Sequence, residues 1–233
     1  MKGPKLAIAV VVGLVVLGAL GWVGLYLYRQ IDPTEKALAQ IRNAPLVGIA
    51  LADHPEYEDR LRKAIRDEAR DPTDKGPPKP QVVVSELRRN FIAPVIRGAS
   101  DQSLINVMAA RAELVRYLQK TDLTACREFS MGGINRVDLL DDEAQRLFRD
   151  VLAAMEVAYR SGRDAKPQPL ISRQQLHQML VEASFTKQDF DRLLAFATLS
   201  NDLSCQMELR IDLVPPLLPI DERGPFSRFI LAQ

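Results

Sequence analysis

The chain has 233 residues, 47% of them hydrophobic, with 31 basic against 30 acidic side chains and a formal net charge of +1. That balance excludes the electrostatic footprint of a nucleic-acid binder, and two cysteines with two histidines are too few for a zinc cluster. The length beyond the apolar N-terminus suffices for one ordinary domain with its own core.

Residues 6–28, LAIAVVVGLVVLGALGWVGLYLY, carry no charge and are bounded by Lys2 and Lys5 on one side and Arg29 on the other. At about 1.5 Å per residue such a run covers a hydrocarbon core of roughly 30 Å, and a helix is the one single-segment way to satisfy its backbone there. Residues 1–30 are therefore expected to form a single transmembrane anchor, with the lipid bilayer as the partner of residues 6–28. Trp22, Tyr26 and Tyr28 suit the headgroup level at its far end. Ala19 and Gly21 offer small residues to a signal peptidase, but the apolar run continues past them, which favours an anchor over a cleaved leader. Ala9 and Gly13 have small-xxx-small spacing, and a lone anchor remains the simpler reading. Flanking charge does not settle the orientation, since Arg29, Lys36 and Arg42 oppose Lys2 and Lys5. A five-residue tail with a lysine pair is nevertheless expected to stay in the cytoplasm, which puts the rest of the chain on the periplasmic side of a bacterial inner membrane. The chain has no Asn-x-Ser/Thr sequon and more arginine than lysine, both compatible with that compartment.

Residues 31–52 are expected to act as a juxtamembrane stalk. Asp32-Pro33-Thr34-Glu35 reads as a helix start, and Pro45 limits that helix to about Arg42. The apolar segment 45–52 is too short to assign by periodicity and is expected to pack on the domain. Residues 53–233 form the expected soluble domain. Its first helix is capped by Asp53, buries Tyr57, Leu61, Ala64 and Ile65, and ends near Arg70, with acids early and bases late as the helix dipole favours. Residues 71–81, DPTDKGPPKPQ, read as a proline-rich loop. They fail as a calcium loop because Pro72 and Lys75 interrupt the oxygen ligands.

A helix over 82–96 carries Val83, Leu87, Phe91 and Val95 and is bent or ended by Pro94. Ser100 caps the next, whose apolar positions Leu104, Val107, Met108, Leu114, Val115 and Leu118 contain Arg111 in their seam, expected to snorkel over the core. Residues 81–120 hold six cations, including Arg88, Arg89 and Arg111, against Glu86, Asp101 and Glu113. This stretch reads as a solvated helix face, the alternative being an acidic partner or lipid headgroups. Asp122 starts a short helix through Cys126 and Phe129, stopped by Gly132-Gly133. Asp142 with Gln145, Ser172 with Gln175 and Thr186 with Asp189 mark three more helix starts, the last expected to run past Cys205 to Leu213. Gly224-Pro225 introduces a final apolar turn with Phe226, Phe229 and Ile230.

Cys126 and Cys205 form an even pair in a domain expected to be exported, which reads as a disulfide. It would close a loop of about eighty residues and stabilise by at most ~4 to 5 kcal/mol in the chain-entropy model. Two separate buried thiols are the alternative.

Catalytic signatures are missing from the sequence. His54 and His177 have no second histidine or cysteine at i+3 or i+4 with which to form a metal-binding pair. Ser184-Phe185-Thr186-Lys187 has S-x-x-K spacing, but the S-D-N and K-T-G elements that must accompany it are not in the chain, so Ser184 and Thr186 are inter-helix residues. Catalytic, cofactor-binding and metal-binding residues are accordingly assigned to none. The expectation is an all-α protein, an anchor followed by a bundle of six or seven helices stapled by Cys126 and Cys205. Its expected role is that of an accessory, scaffold or interaction protein working with an envelope protein partner. An envelope hydrolase with an unrecognised carboxylate or histidine site is the alternative, as is a bundle that binds a small ligand or lipid.

Overall fold

The computed structural model describes residues 32–71, 79–134 and 137–232. The span expected at residues 6–28 and the centre of the proline-rich loop lie outside them. Among the described residues, no helix is long and apolar enough to cross a membrane. The described chain is all-α, without a strand.

Helices α1 (Pro33–Asn43) and α2 (Pro45–Asp53) each place proline in the first turn, where no intrahelical N–H is needed. The Asp32 carboxylate accepts the Thr34 N–H at 2.8 Å and caps α1. Leu38 and Ala50 are fully buried in the main core, with Leu46 and Leu51 beside them. The segment expected as a stalk is thus packed into the body, because its apolar positions exceed what a solvated rod can expose. Helix α3 (Glu56–Arg70) buries Tyr57, Leu61 and Ala64 as expected. Its cap differs: Pro55 is the N-cap residue, and Asp53 instead accepts from the Tyr159 hydroxyl at 3.0 Å and pairs with Arg163. Burial, followed by that hydrogen bond to Asp53, pushes the Tyr159 phenol up to about 12. A capping aspartate was drawn away because a partly buried phenol and a guanidinium offer it stronger, charge-assisted bonds.

Helix α4 (Lys79–Leu87) begins inside the stretch read as loop, with Pro80 tolerated in its first turn. A π-helical turn (Arg88–Ile92) then leads into α5 (Ala93–Ile96). Pro94 accounts for the widening: it donates no N–H and its ring would clash with the carbonyl four residues back, so the chain opens one turn instead of breaking. The Ala93 N–H accordingly reaches back to the Arg88 carbonyl.

The body is organised around α6 (Asp101–Thr121), which packs along α8 (Asp142–Gly162) and is covered on its other sides by α7 (Leu123–Ser130), α11 (Asn201–Asp212) and α12 (Ile220–Leu231). The first half of α6 gives Leu104, Val107 and Met108 to the main core; the second half gives Leu114, Val115 and Leu118 to a second cluster with Phe129, Val151 and the two cysteines. Arg111 stands between the two. Helix α8 is capped by Asp141, which accepts the Ala144 N–H at 2.8 Å, rather than by the Asp142/Gln145 box; Gln145 donates to the Leu140 carbonyl.

Where α8 crosses the turn after α5, the backbones nearly touch. A Cβ on Gly162 would stand 2.1 Å from the Val95 carbonyl oxygen, and one on Gly98 would meet the Gly162 carbonyl at 2.9 Å. Gly162→Ala should therefore destabilise by about 1 to 3 kcal/mol and lower Tm by several degrees. A glycine whose role was merely conformational would give the opposite sign, since alanine stabilises an ordinary helix interior. Thermal unfolding followed by circular dichroism decides between them.

The C-terminal third is more broken than expected. Helix α9 (Arg173–Glu182) has the full Ser172/Gln175 capping box, and α10 (Lys187–Leu194) the Thr186/Asp189 box. The helix expected to run on to Leu213 stops at Leu194, passes through a 3₁₀ turn (Phe196–Thr198), and restarts as α11 behind a Ser200 cap. Leu194, the last residue of α10, is 89% exposed. Gly224-Pro225 does not start a turn; α12 runs through it, with Gly224 pressed against Asp101 and Phe226 fully buried. Arg228, 2% exposed, donates to the Ala99 carbonyl and to Asp101. These breaks divide the bundle into more and shorter helices than six or seven.

Candidate functional site

The two histidines are packing residues. His54 lies against Phe91 with ring centroids 3.8 Å apart, and His177 stacks on Phe190 at 4.5 Å. Among the described residues, no group of His, Cys, Asp and Glu is placed to hold a metal ion. Ser184 sits at φ 66° in the turn between α9 and α10, and Lys187 points to solvent and pairs with Asp191. The S-x-x-K spacing is thus an inter-helix turn, as expected from the missing companion elements.

What the fold does assemble is a cleft of about 830 Å³ between α4 and α7. One wall is Val84, Ser85, Arg88 and Arg89, where α4 passes into the π-helical turn. The other is Thr124, Arg127, Glu128 and Met131 on and after α7. Gly132 and Gly133, both at positive φ, close one end, and Phe148 of α8 and Asn201 of α11 complete the lining. Each wall is held by ordinary means. The Asp122 carboxylate caps α7 by accepting the Thr124 and Ala125 N–H groups, both at 3.0 Å. Positive φ at Gly132 and Gly133 then turns the chain at the helix end, a conformation costly for any residue with a Cβ.

Three guanidinium groups face one carboxylate in this lining. Arg127 donates to the carbonyls of Leu199 (2.5 Å) and Ala197 (2.8 Å) and to the Ser204 hydroxyl at 3.2 Å. Arg88 donates to the Gly132 carbonyl at 3.3 Å. All of these acceptors are neutral, and among the described residues none of Arg88, Arg89 and Arg127 forms an ion pair. Desolvation, followed by the charge of nearby Arg111, lowers the Arg88 pKa. Among the described residues, the cleft therefore holds positive charge without a bonded counter-ion.

Behind the cleft lies a buried charge cluster. Phe148 meets Phe129 edge-on, with centroids 6.4 Å apart, and the Arg111 guanidinium lies over Phe129 at 5.0 Å. Arg111 does not snorkel. It binds Asp212 at 2.9 Å and also pairs with Glu208, one turn earlier on α11. Asp212 is 2% exposed and its second carboxylate oxygen has no hydrogen-bond partner. Burial outweighs the attraction of Arg111 at both acids, raising Asp212 and pushing Glu208 up to about 7. One cation cannot neutralise two buried carboxylates, so the cluster retains a proton well above the ordinary carboxylate range.

The disulfide between Cys126 and Cys205 is formed, with Cα atoms 5.7 Å apart and both residues fully buried. It joins α7 to α11 directly beside Arg127, so the residue pair expected from sequence fixes one wall of the cleft. Sequence reading did not single out Arg127, Glu208 or Asp212. The one available signal was the i,i+4 pair Glu208 and Asp212 on the same face of a helix that also buries Cys205 and Met207. Compared with known families, curated proteins and solved structures, the chain matches none.

Proposed function

We propose that this chain is a membrane-anchored accessory or scaffold protein of the bacterial envelope, held in the inner membrane by residues 6–28. Its helical domain works in the periplasm by binding a protein partner rather than by catalysis. The observation that carries this reading is the buried Cys126–Cys205 bond. Protein disulfides persist in oxidising compartments, and the uncharged run at 6–28 supplies the means of staying at the membrane after export. Asp212 and Glu208 are tied to Arg111 and buried, which suits a structural role better than a hydrolytic one.

Topology and partnership are tested together. In spheroplasts, the cysteines should react with a thiol reagent only after denaturation and reduction, and added protease should digest the domain. In-cell cross-linking followed by purification from membranes should then return the same partner in repeated preparations. Free thiols in a domain protected from external protease would place it in the cytoplasm. Repeated purification without a consistent partner would count against the scaffold role.

A further inference from the structure

Among the described residues, the cleft between α4 and α7 combines arginines without a bonded counter-ion with apolar lining from Val84, Met131 and Phe148. We propose that it is a docking site for an acidic peptide segment of a protein partner, with Arg88 and Arg89 receiving carboxylates and Val84, Met131 and Phe148 receiving an apolar side chain between them. The proposal rests on the scaffold reading only for the expectation that the partner is a protein.

Charge complementarity is the first argument. Arg88, Arg89 and Arg127 line the cleft against Glu128 alone, and none of the three arginines is ion-paired among the described residues. Arg89 is exposed and has no hydrogen bond to any described residue, so both edges of its guanidinium can take a carboxylate in the two-bond geometry that arginine favours. Arg127 contributes charge rather than contacts, since both of its terminal nitrogens already donate to backbone carbonyls.

Shape and lining argue for a peptide over a small anion. A single phosphate or carboxylate fills only a small part of a space of about 830 Å³ whose lining also carries Val84, Met131 and Phe148. That volume lies within the range of pockets that enclose a drug-sized molecule or a few residues of chain. Val84 and Phe148 are half-buried, while Met131 is 53% exposed at the rim. Methionine adapts its shape to a partner and is favoured on binding surfaces for that reason. Alternating acidic and apolar residues on an extended segment would meet both features, as in other recognition of acidic motifs by arginine clusters.

The test uses the full-length protein in a neutral detergent and a fluorescein-labelled decapeptide of alternating Glu and Leu, read by fluorescence anisotropy. The expected result is saturable binding that weakens as salt rises. The same peptide with Lys for Glu should not bind. Arg89→Glu, a change at an exposed side chain without bonds, should weaken binding at least about tenfold while the helical circular dichroism is unchanged. Inorganic phosphate and phosphatidylglycerol vesicles serve as competitors. Absence of binding, equal binding of the lysine peptide, or an unchanged affinity in Arg89→Glu would overturn the proposal. So would displacement by phosphate or by vesicles at anion concentrations below that of the peptide carboxylates, which would identify a phosphate or lipid headgroup instead. Failure here together with a partner cross-linked at another face removes the cleft and leaves the scaffold reading intact. Peptide binding without any partner recovered from membranes does the reverse.

Discussion

Arg111→Met is expected to destabilise the protein by about 3 to 5 kcal/mol at neutral pH, the cost of leaving buried acids without their cation. Methionine nearly matches the arginine stem in bulk, so the loss reports charge more than volume. Its pH dependence separates this cause from simple repacking. Glu208 and Asp212 both have folded-state pKa values above their unfolded ones. The folded state therefore binds more protons than the unfolded state between the ordinary carboxylate range and pH of about 7, and stability falls as pH rises through that window. Wild type should show this decline. In Arg111→Met it should be steeper and extend to higher pH, because the cation that favoured the ionised forms is gone. The variant should thus approach wild type near pH 5 and fall furthest behind near pH 8.

Glu208→Gln provides the counter-experiment. It removes one of two acids competing for a single guanidinium while keeping shape and hydrogen-bonding capacity, so it should leave stability near wild type at pH 5 and raise it at pH 8. Chemical denaturation of the full chain at a series of pH values, followed by circular dichroism, gives both numbers. Equal damage from Arg111→Met at pH 5 and pH 8 would rule out the electrostatic account.

Removing the disulfide by the double change Cys126→Ala and Cys205→Ala should cost about 3 to 5 kcal/mol, set mainly by the long loop released in the unfolded state. The sequence separation of 79 residues puts the bond near the upper end of that range. Reduction of the wild type should lower Tm by a comparable amount. The loss should also have a location. Helix α7 has eight residues and meets the rest of the fold chiefly through α11 and α6, so hydrogen exchange should accelerate in α7 before it does in α6. A reduced protein whose Tm and α7 protection both match the oxidised one would show that packing alone holds this wall.

Local chemistry was legible at most places where a residue acts on its own neighbours, though the α8 cap fell one residue earlier, on Asp141, than the Asp142/Gln145 box predicts. The Ser172/Gln175 and Thr186/Asp189 boxes, the Asp122 start and the Gly132-Gly133 stop stand where residue type alone puts them, because caps and turns are completed within four residues. The same rule failed at Asp53, whose partners Tyr159 and Arg163 lie more than a hundred residues away. It failed again after Leu194, where the helix expected to reach Leu213 ends and α11 restarts behind a Ser200 cap.

The cleft and the charge cluster belong to the second kind. Arg88 and Arg89 read as a solvated face, since nothing nearby in sequence announces that α7 will stand opposite or that Pro94 will widen the turn that carries them. Arg111 read as a snorkelling cation because its partners arrive on α11, 97 and 101 positions later. By itself the sequence determined the all-α class and most helix starts, since periodicity and capping leave few alternatives, and it offered Cys126 and Cys205 as a pair with two buried thiols as the alternative. Only the tertiary structure decided which charges are neutralised and which are left facing a cleft. Ion pairing depends on distances of a few ångströms between segments far apart in the chain, and those distances do not exist until the helices have packed.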